Sequence, residues 1–276
     1  METAMSSVRK VDDRAGEAAL RNNTHALYLI VLLVIACAVG ATVYFNGSMS
    51  GGMAMPGNWT MSMMWMSMGD ELRAAAIFIV MWVAMMVAMM LPSSMPMLLL
   101  YRRVAAFRGE GNIGKAIFAL GSGYFFIWTL FGVAAYLIGT IVTQRAMHSD
   151  TFSRALPLAG GLALCAAGIY QLTPWKSACL RHCRDPLTLI SRHQRQGHFG
   201  ALRVGIHHGA VCAACCWALM LIQLVLGVMN LTVMVTVAVV IALEKLFPRG
   251  ESVAKAVGLA AIVVGVIMAT LSVRAL

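Results

Sequence analysis

Charged residues are scarce in this sequence, and acidic residues are the scarcest of them. Only 12% of the 276 residues are charged, whereas a soluble domain carries about 25%. The apolar residues instead fall into runs of about twenty, the length at which a helix crosses a ~30 Å hydrocarbon core. The scarcity of charge argues against a soluble globular domain, and the sequence predicts an all-α, polytopic membrane helix bundle.

Seven apolar runs of this kind predict about seven transmembrane helices. A polar tail at residues 1–25 precedes them, and a single membrane domain extends over residues 26–273. The first run is longer than the core of a cleavable signal peptide, so we expect it to be a span. The predicted spans are residues 26–45, 74–91, 116–142, 156–172, 206–226, 231–247 and 253–273.

Lysine and arginine lie mostly between alternate spans. Of the 21 basic residues, 17 fall on one side of the predicted membrane. The positive-inside rule then predicts a cytoplasmic N-terminus, an external C-terminus and a place in a bacterial inner membrane. This distribution explains the net charge of +10 without nucleic acid. The predicted partners are the lipid bilayer, a metal ion, and a metal-delivery or membrane-complex protein.

Carboxylates are nearly absent from the predicted spans, where Glu244 is the exception. Proton-coupled carriers place acidic residues deep in the bundle, and Mg²⁺, Ca²⁺ and Mn²⁺ need oxygen ligands. Both classes are therefore disfavoured, and no nucleotide loop or activated nucleophile indicates an enzyme. We expect Glu244 to pair with its neighbour Lys245 near water, as an anchor at the cytoplasmic edge.

Methionine is abundant in the predicted outer loop at residues 46–73. Eight methionines occur within twenty residues of this Gly- and Ser-rich segment. Thioethers are soft ligands that select Cu(I) over hard cations, and adaptable apolar filler is the alternative explanation. The residues predicted to capture metal here are Met53, Met55, Met61, Met63, Met66 and Met68.

A second series of methionines lies within the second span. Met81, Met85 and Met89 follow at four-residue intervals and so share one helix face. Pro92 and Pro96 each remove a backbone N–H near the cytoplasmic end, and we expect a broken helix or a hinge there. A flexible apolar span with a proline kink is the alternative.

The fifth span carries the motif Cys-x-x-Cys-Cys. On a helix, Cys212, Cys215 and Cys216 form one stripe with His208 below and Met220 above. Three thiols and an imidazole would supply most of a shell for Cu(I) or Zn(II). Packing of the cysteines as small hydrophobes is the alternative.

The predicted inner loop at residues 173–205 adds further donors, namely Cys179, His182 and Cys183. Thiols that face a reducing cytoplasm favour metal binding or redox exchange over a structural disulfide. Counted along their helices, Cys212 lies roughly 9 Å and Met89 roughly 8 Å in from the cytoplasmic end. Thiols and thioethers therefore lie at matching depths, while the sequence leaves open whether the two helices are neighbours.

Several motifs occur together and in a fixed order between residues 74 and 245. They are residues 85–92, 170–176, 179–186 and 212–220, Met229-Asn230 and Glu244-Lys245. In these motifs the chain resembles a bacterial domain-of-unknown-function family of predicted metal-binding integral membrane proteins. The resemblance implies an all-helical membrane domain with a metal site at the cysteine motifs. Ala214 stands where the family's pattern leads us to expect glycine, which alters packing and need not remove a ligand.

These features together predict a soft-metal-binding membrane protein that handles Cu(I) in transport, delivery or sensing. Copper is the expected ion and zinc the alternative. The change from thioether to thiolate along the chain of donors favours inward movement. Two other functions stay open: a thiol–disulfide oxidoreductase that uses Cys212 and Cys215, and a non-catalytic accessory or assembly subunit of a membrane complex.

Overall fold

The regular structure in the described part of the computed structural model is helical apart from one short hairpin, which confirms the predicted all-α class. It describes residues 2–48, 51–57, 59–62, 65, 70–109, 111–192, 198–228 and 230–275. Within these ranges the helices are α1 (Glu2–Ser48), α2 (Glu71–Phe107), α3 (Ile113–His148), α4 (Asp150–Leu172), α5 (Pro174–Cys183), α6 (Pro186–Arg192), α7 (His198–Gly227), α8 (Leu231–Leu246) and α9 (Gly250–Ala275). The strands are β1 (Gly52–Met55) and β2 (Trp59–Ser62).

Six of the described helices are long and apolar enough to cross a membrane: α2, α3, α4, α7, α9 and the part of α1 from His25 onward. The remaining predicted span is α8, whose 16 residues extend roughly 24 Å and fall short of a ~30 Å core. The count of seven and the orientation therefore stay predictions. Residues 2–25, which were predicted as a polar tail, are helical and form the first part of α1.

The two segments predicted as loops contain regular structure. Between α1 and α2, β1 pairs antiparallel with β2, and Met53 lies opposite Met61. Trp59 Nε1 donates to the Ser153 carbonyl oxygen at 3.1 Å, and Ser153 Oγ donates to the Pro56 carbonyl oxygen at 2.8 Å. These bonds attach the hairpin to the start of α4. The inner segment likewise folds into α5, α6 and the first turns of α7.

The α2 helix is continuous through both of its prolines, so it is not the broken helix that Pro92 and Pro96 predicted. Ser93 Oγ donates to the Met90 carbonyl oxygen and Ser94 Oγ to the Leu91 carbonyl oxygen, each at 3.0 Å. These bonds run from a serine hydroxyl to a carbonyl oxygen one turn earlier, which is common for serine inside a helix. A hinge role for the two prolines stays a prediction.

The α3 and α7 helices cross closely because glycines lie at their contact. A Cβ atom at Gly205 would overlap the Leu120 carbonyl oxygen, and one at Gly123 would overlap the Leu202 carbonyl oxygen. The α3 and α8 helices each pack against both α2 and α7. Helices α2 and α7 therefore face each other across a space that their long side chains fill.

Candidate metal centre

The three cysteines of α7 face the interior of the bundle, as their spacing predicts. Cys212 and Cys215 are 0% exposed and Cys216 is 1% exposed. They belong to the same buried cluster as the methionines of α2. His208, one turn earlier on α7, is also buried and stacks on Tyr124 with ring centroids 5.4 Å apart.

A fourth thiol reaches this cluster from α5. Cys183 is buried, and its side chain hydrogen-bonds with Cys212 and Cys215. The hydrogen bond with Cys212, reinforced by burial, raises the pKa of Cys183 to about 12. The structure therefore joins the Cys-x-x-Cys-Cys motif of α7 to a cysteine that lies 29 or more positions earlier in the sequence.

Two other predicted donors lie on α5. Cys179 is half-buried and packs against the same buried cluster. The His182 ring lies 6.2 Å from the ring of His207. Cys179 therefore borders the cluster, and His182 lies beside His207 of α7.

The Cys212 sulfur has two further polar partners. The Tyr124 hydroxyl lies 3.0 Å from it. Lys245 Nζ donates to the same sulfur at 2.9 Å and to Ser93 Oγ at 3.3 Å. Lys245 is only 8% exposed, and the expected pairing with Glu244 is wrong. Consecutive residues on a helix do not face each other, and Lys245 points toward α7 and α2 instead.

Glu244 pairs with a lysine from α5. Lys176 Nζ lies 2.6 Å from Glu244 Oε2 and donates to the Cys215 carbonyl oxygen at 2.8 Å. Gln171 Nε2 donates to Glu244 Oε1 at 3.1 Å. Burial would lower the pKa of Lys176, but the neighbouring thiols and the Glu244 carboxylate hold it above its ordinary value. Glu244 is fully buried and is not the solvated anchor that the sequence predicted.

The methionines of α2 lie in the same cluster as the cysteines. Met85 and Met89 are buried there, together with Met220 of α7. Gln223 Nε2 on α7 donates to Met85 Sδ at 3.2 Å, while Gln223 Oε1 finds no hydrogen-bond partner among the described residues. This contact establishes what the sequence left open, because it shows that α2 and α7 face each other at the depth of Met85.

The methionines of the outer hairpin differ in their exposure to solvent. Met61 is 1% exposed, Met53 opposite it is 44% exposed, and Met55 is half-buried. The other methionines predicted to capture metal, Met63, Met66 and Met68, lie outside the described residues.

The thiols of this site face one another and Lys245 rather than converging on a common point. Within the described part of the chain, no group of three or more His, Cys, Asp or Glu side chains is arranged to hold a metal ion. The methionines of α2 belong to the same buried cluster as the thiols, and thiolate and thioether together form the donor set that selects Cu(I). A soft ion would therefore find its donors within one buried cluster, after the thiols reorient around it.

A cavity of about 540 Å³ lies between α1, α2 and α3 and reaches Tyr124 and His208. Its other walls are apolar except at Ser94 and Ser122. Such walls offer no series of donors to a metal ion. The methionine face of α2 is the stretch of soft donors that leads to the thiols.

Three polar residues of the site were missed as functional residues by the sequence analysis: Tyr124, Lys176 and Lys245. The two lysines were attributed to the positive-inside distribution, and Tyr124 is one aromatic residue among several in an apolar run. The sequence did contain a signal for the two lysines, since both fall within the motifs that carry the family resemblance.

Comparison with known proteins identifies one family. The model of the PpoB2 family, described as a copper chaperone, matches residues 79–268. The match extends from α2 into α9 and includes every thiol of the site. No curated protein and no solved structure matches the chain.

Proposed function

The chain belongs to this copper chaperone family, and we propose that it holds Cu(I) inside a membrane-embedded helical bundle. The proposed ligands are two thiolates drawn from Cys183, Cys212, Cys215 and Cys216, with Met85 and its neighbours on α2 as the adjoining donors. The observation that carries the proposal is that four buried thiols, from two separate segments, lie in one buried cluster with the thioethers of α2. The copper description of the family supports Cu(I) and gives no support to zinc.

We infer a route of increasing ligand softness and charge. Methionines of the outer hairpin and of the segment beside it collect the ion, and Met81, Met85 and Met89 conduct it along α2. The thiols hold it, and Cys179 and His182 border the exit from the cluster. The contact of Gln223 with Met85 supports the middle of this route, because it brings the thioether face of α2 against α7.

We further infer that α8 crosses the membrane as a seventh span despite its length, with the N-terminus inside. The positive-inside distribution supports this orientation. Reporter fusions at the two termini separate the alternatives, since seven crossings place the termini on opposite sides and six place them on the same side.

The burial of the thiols bears on the thiol–disulfide oxidoreductase as an alternative function. Cys212 and Cys215 are both 0% exposed. A dithiol that exchanges with a partner protein needs at least one accessible sulfur. The geometry therefore favours holding a small ion over exchange with another protein.

The proposal is tested by the metal content of anaerobically purified protein after incubation with Cu(I). We expect about one or more copper ions per chain in the parent and loss of that copper in the triple variant Cys212→Ser, Cys215→Ser, Cys216→Ser, because serine oxygens are hard donors. The matched control replaces Cys37 and Cys165, which lie apart from the cluster. A triple variant that retains the copper content of the parent would refute the proposed site.

A further inference from the structure

We propose that Lys245 is the specificity-determining residue of the thiol site. Its buried ammonium group acts as a fixed counter-charge that favours a monovalent ion held by two thiolates over a divalent ion. This inference rests on the proposed function, since it takes the thiol cluster as the place where Cu(I) binds. It concerns a residue that is not itself a metal ligand.

The first observation behind this inference is the position of Lys245 beside Cys212. Its Nζ lies 2.9 Å from Cys212 Sγ and 3.3 Å from Ser93 Oγ, in a side chain that is only 8% exposed. The Tyr124 hydroxyl occupies another side of the same sulfur at 3.0 Å. An ammonium group and a hydroxyl therefore both lie against the Cys212 sulfur, so the charge of Lys245 acts at short range on any ion that this sulfur binds.

The second observation is how the buried charged side chains pair with one another. Lys176 and Glu244 neutralise each other at 2.6 Å. Lys245 is then left as a buried cation whose partner is a sulfur atom, and a buried charge is stable only when it is paired. The structure thus places the ammonium group of Lys245 beside the thiols.

The charge of the loaded site follows from this arrangement. Two thiolates and one Cu⁺ carry a net charge of −1, which the Lys245 ammonium neutralises. Two thiolates and a divalent ion are already neutral, so the ammonium leaves that complex with a buried positive charge. When Cys212 is the thiolate that pairs with Lys245, loading brings in one Cu⁺ and releases one proton from a second cysteine, and the charge of the site does not change.

The test compares Cu(I) and Zn(II) dissociation constants for the full chain in detergent, measured anaerobically by competition with chromophoric chelators. The variants are Lys245→Leu, which removes the charge without adding a sulfur, and Lys245→Arg, which keeps the charge. Lys255→Leu is the matched control, because Lys255 is exposed on α9. Lys245→Gln, which keeps a donor toward Ser93, makes the same comparison if the leucine variant does not fold.

We expect loss of the charge to reduce the preference for Cu(I) over Zn(II) by at least about tenfold, because Coulomb interactions are strong at this separation in a buried site. Lys245→Arg should stay within about threefold of the parent, since arginine keeps the charge. A folded, charge-free variant with an unchanged preference would overturn the inference while leaving the copper site intact. A parent chain that binds no Cu(I) would overturn the proposed function as well.

Discussion

The Lys176 ammonium and the Glu244 carboxylate lie 2.6 Å apart in the interior of the bundle, although 68 positions separate them in the sequence. The pair joins α5 to α8, and Lys176 also donates to the Cys215 carbonyl oxygen on α7. Three helices are therefore fixed to one another beside the thiols. Cys183 ends the same short helix that carries Lys176, so this ion pair also positions the fourth thiol.

Removing the carboxylate of this pair should destabilise the fold strongly. Glu244→Gln leaves Lys176 as an unpaired buried cation, and the free energy of unfolding should fall by about 3–5 kcal/mol. Unfolding in detergent micelles, followed by circular dichroism, measures the loss. Arg181→Met is the matched control, because the Arg181–Glu251 pair at 2.9 Å is exposed and should contribute about 0–1 kcal/mol. Equal losses in the two variants would contradict this role of the buried pair.

Two buried glutamines should respond in opposite directions to replacement by leucine. Among the described residues, neither Oε1 atom has a hydrogen-bond partner. Gln171 Nε2 donates to the Glu244 carboxylate, so Gln171→Leu should lower the free energy of unfolding by about 1.5–3 kcal/mol. Gln223 Nε2 donates to the weak thioether acceptor of Met85, so Gln223→Leu should leave stability unchanged or raise it by about 1 kcal/mol. Thermal unfolding of both variants under one condition checks the contrast.

Adding one methyl group at the α3–α7 crossing should separate the two helices. A Cβ atom at Gly205 would overlap the Leu120 carbonyl oxygen, so Gly205→Ala should destabilise the protein by about 1–3 kcal/mol. Gly121, also on α3, has open space at its Cβ position, and Gly121→Ala should stabilise the helix by about 0.5–1 kcal/mol. Midpoints of thermal unfolding that move in the same direction for both variants would contradict this packing.

Methionine-to-leucine changes on α2 should separate copper binding from stability. Leucine is close to methionine in volume and costs less than about 1.5 kcal/mol in a core, but it has no sulfur. Met85→Leu together with Met89→Leu should therefore weaken Cu(I) binding while the protein remains folded. Met97→Leu is the control, because Met97 is buried on the same helix in a different cluster. Chelator competition measures the affinities, and equal affinity in all three proteins would exclude α2 from the copper route.

The local sequence pattern was sufficient to predict much of the fold. Apolar runs of about twenty residues identified the helices that are long enough to cross a membrane, because a helix without water must bury its backbone and expose apolar side chains. The spacing of Cys212, Cys215 and Cys216 placed them on one face, since the helical repeat alone decides that relation. Copper also followed from the sequence, through the softness of sulfur ligands.

The partners of those residues depended on the tertiary structure. Two neighbouring residues, Glu244 and Lys245, were expected to pair, yet each turns to a different helix because α8 is rotated so that one faces α5 and the other faces α7. The entry of Cys183 into the thiol cluster and the contact of Gln223 with Met85 have the same origin. Sequence periodicity tells which residues share a face of one helix. Which faces meet is decided by the crossing of the helices, and that crossing depends on close contacts, such as Gly205 against Leu120, between residues far apart in the chain.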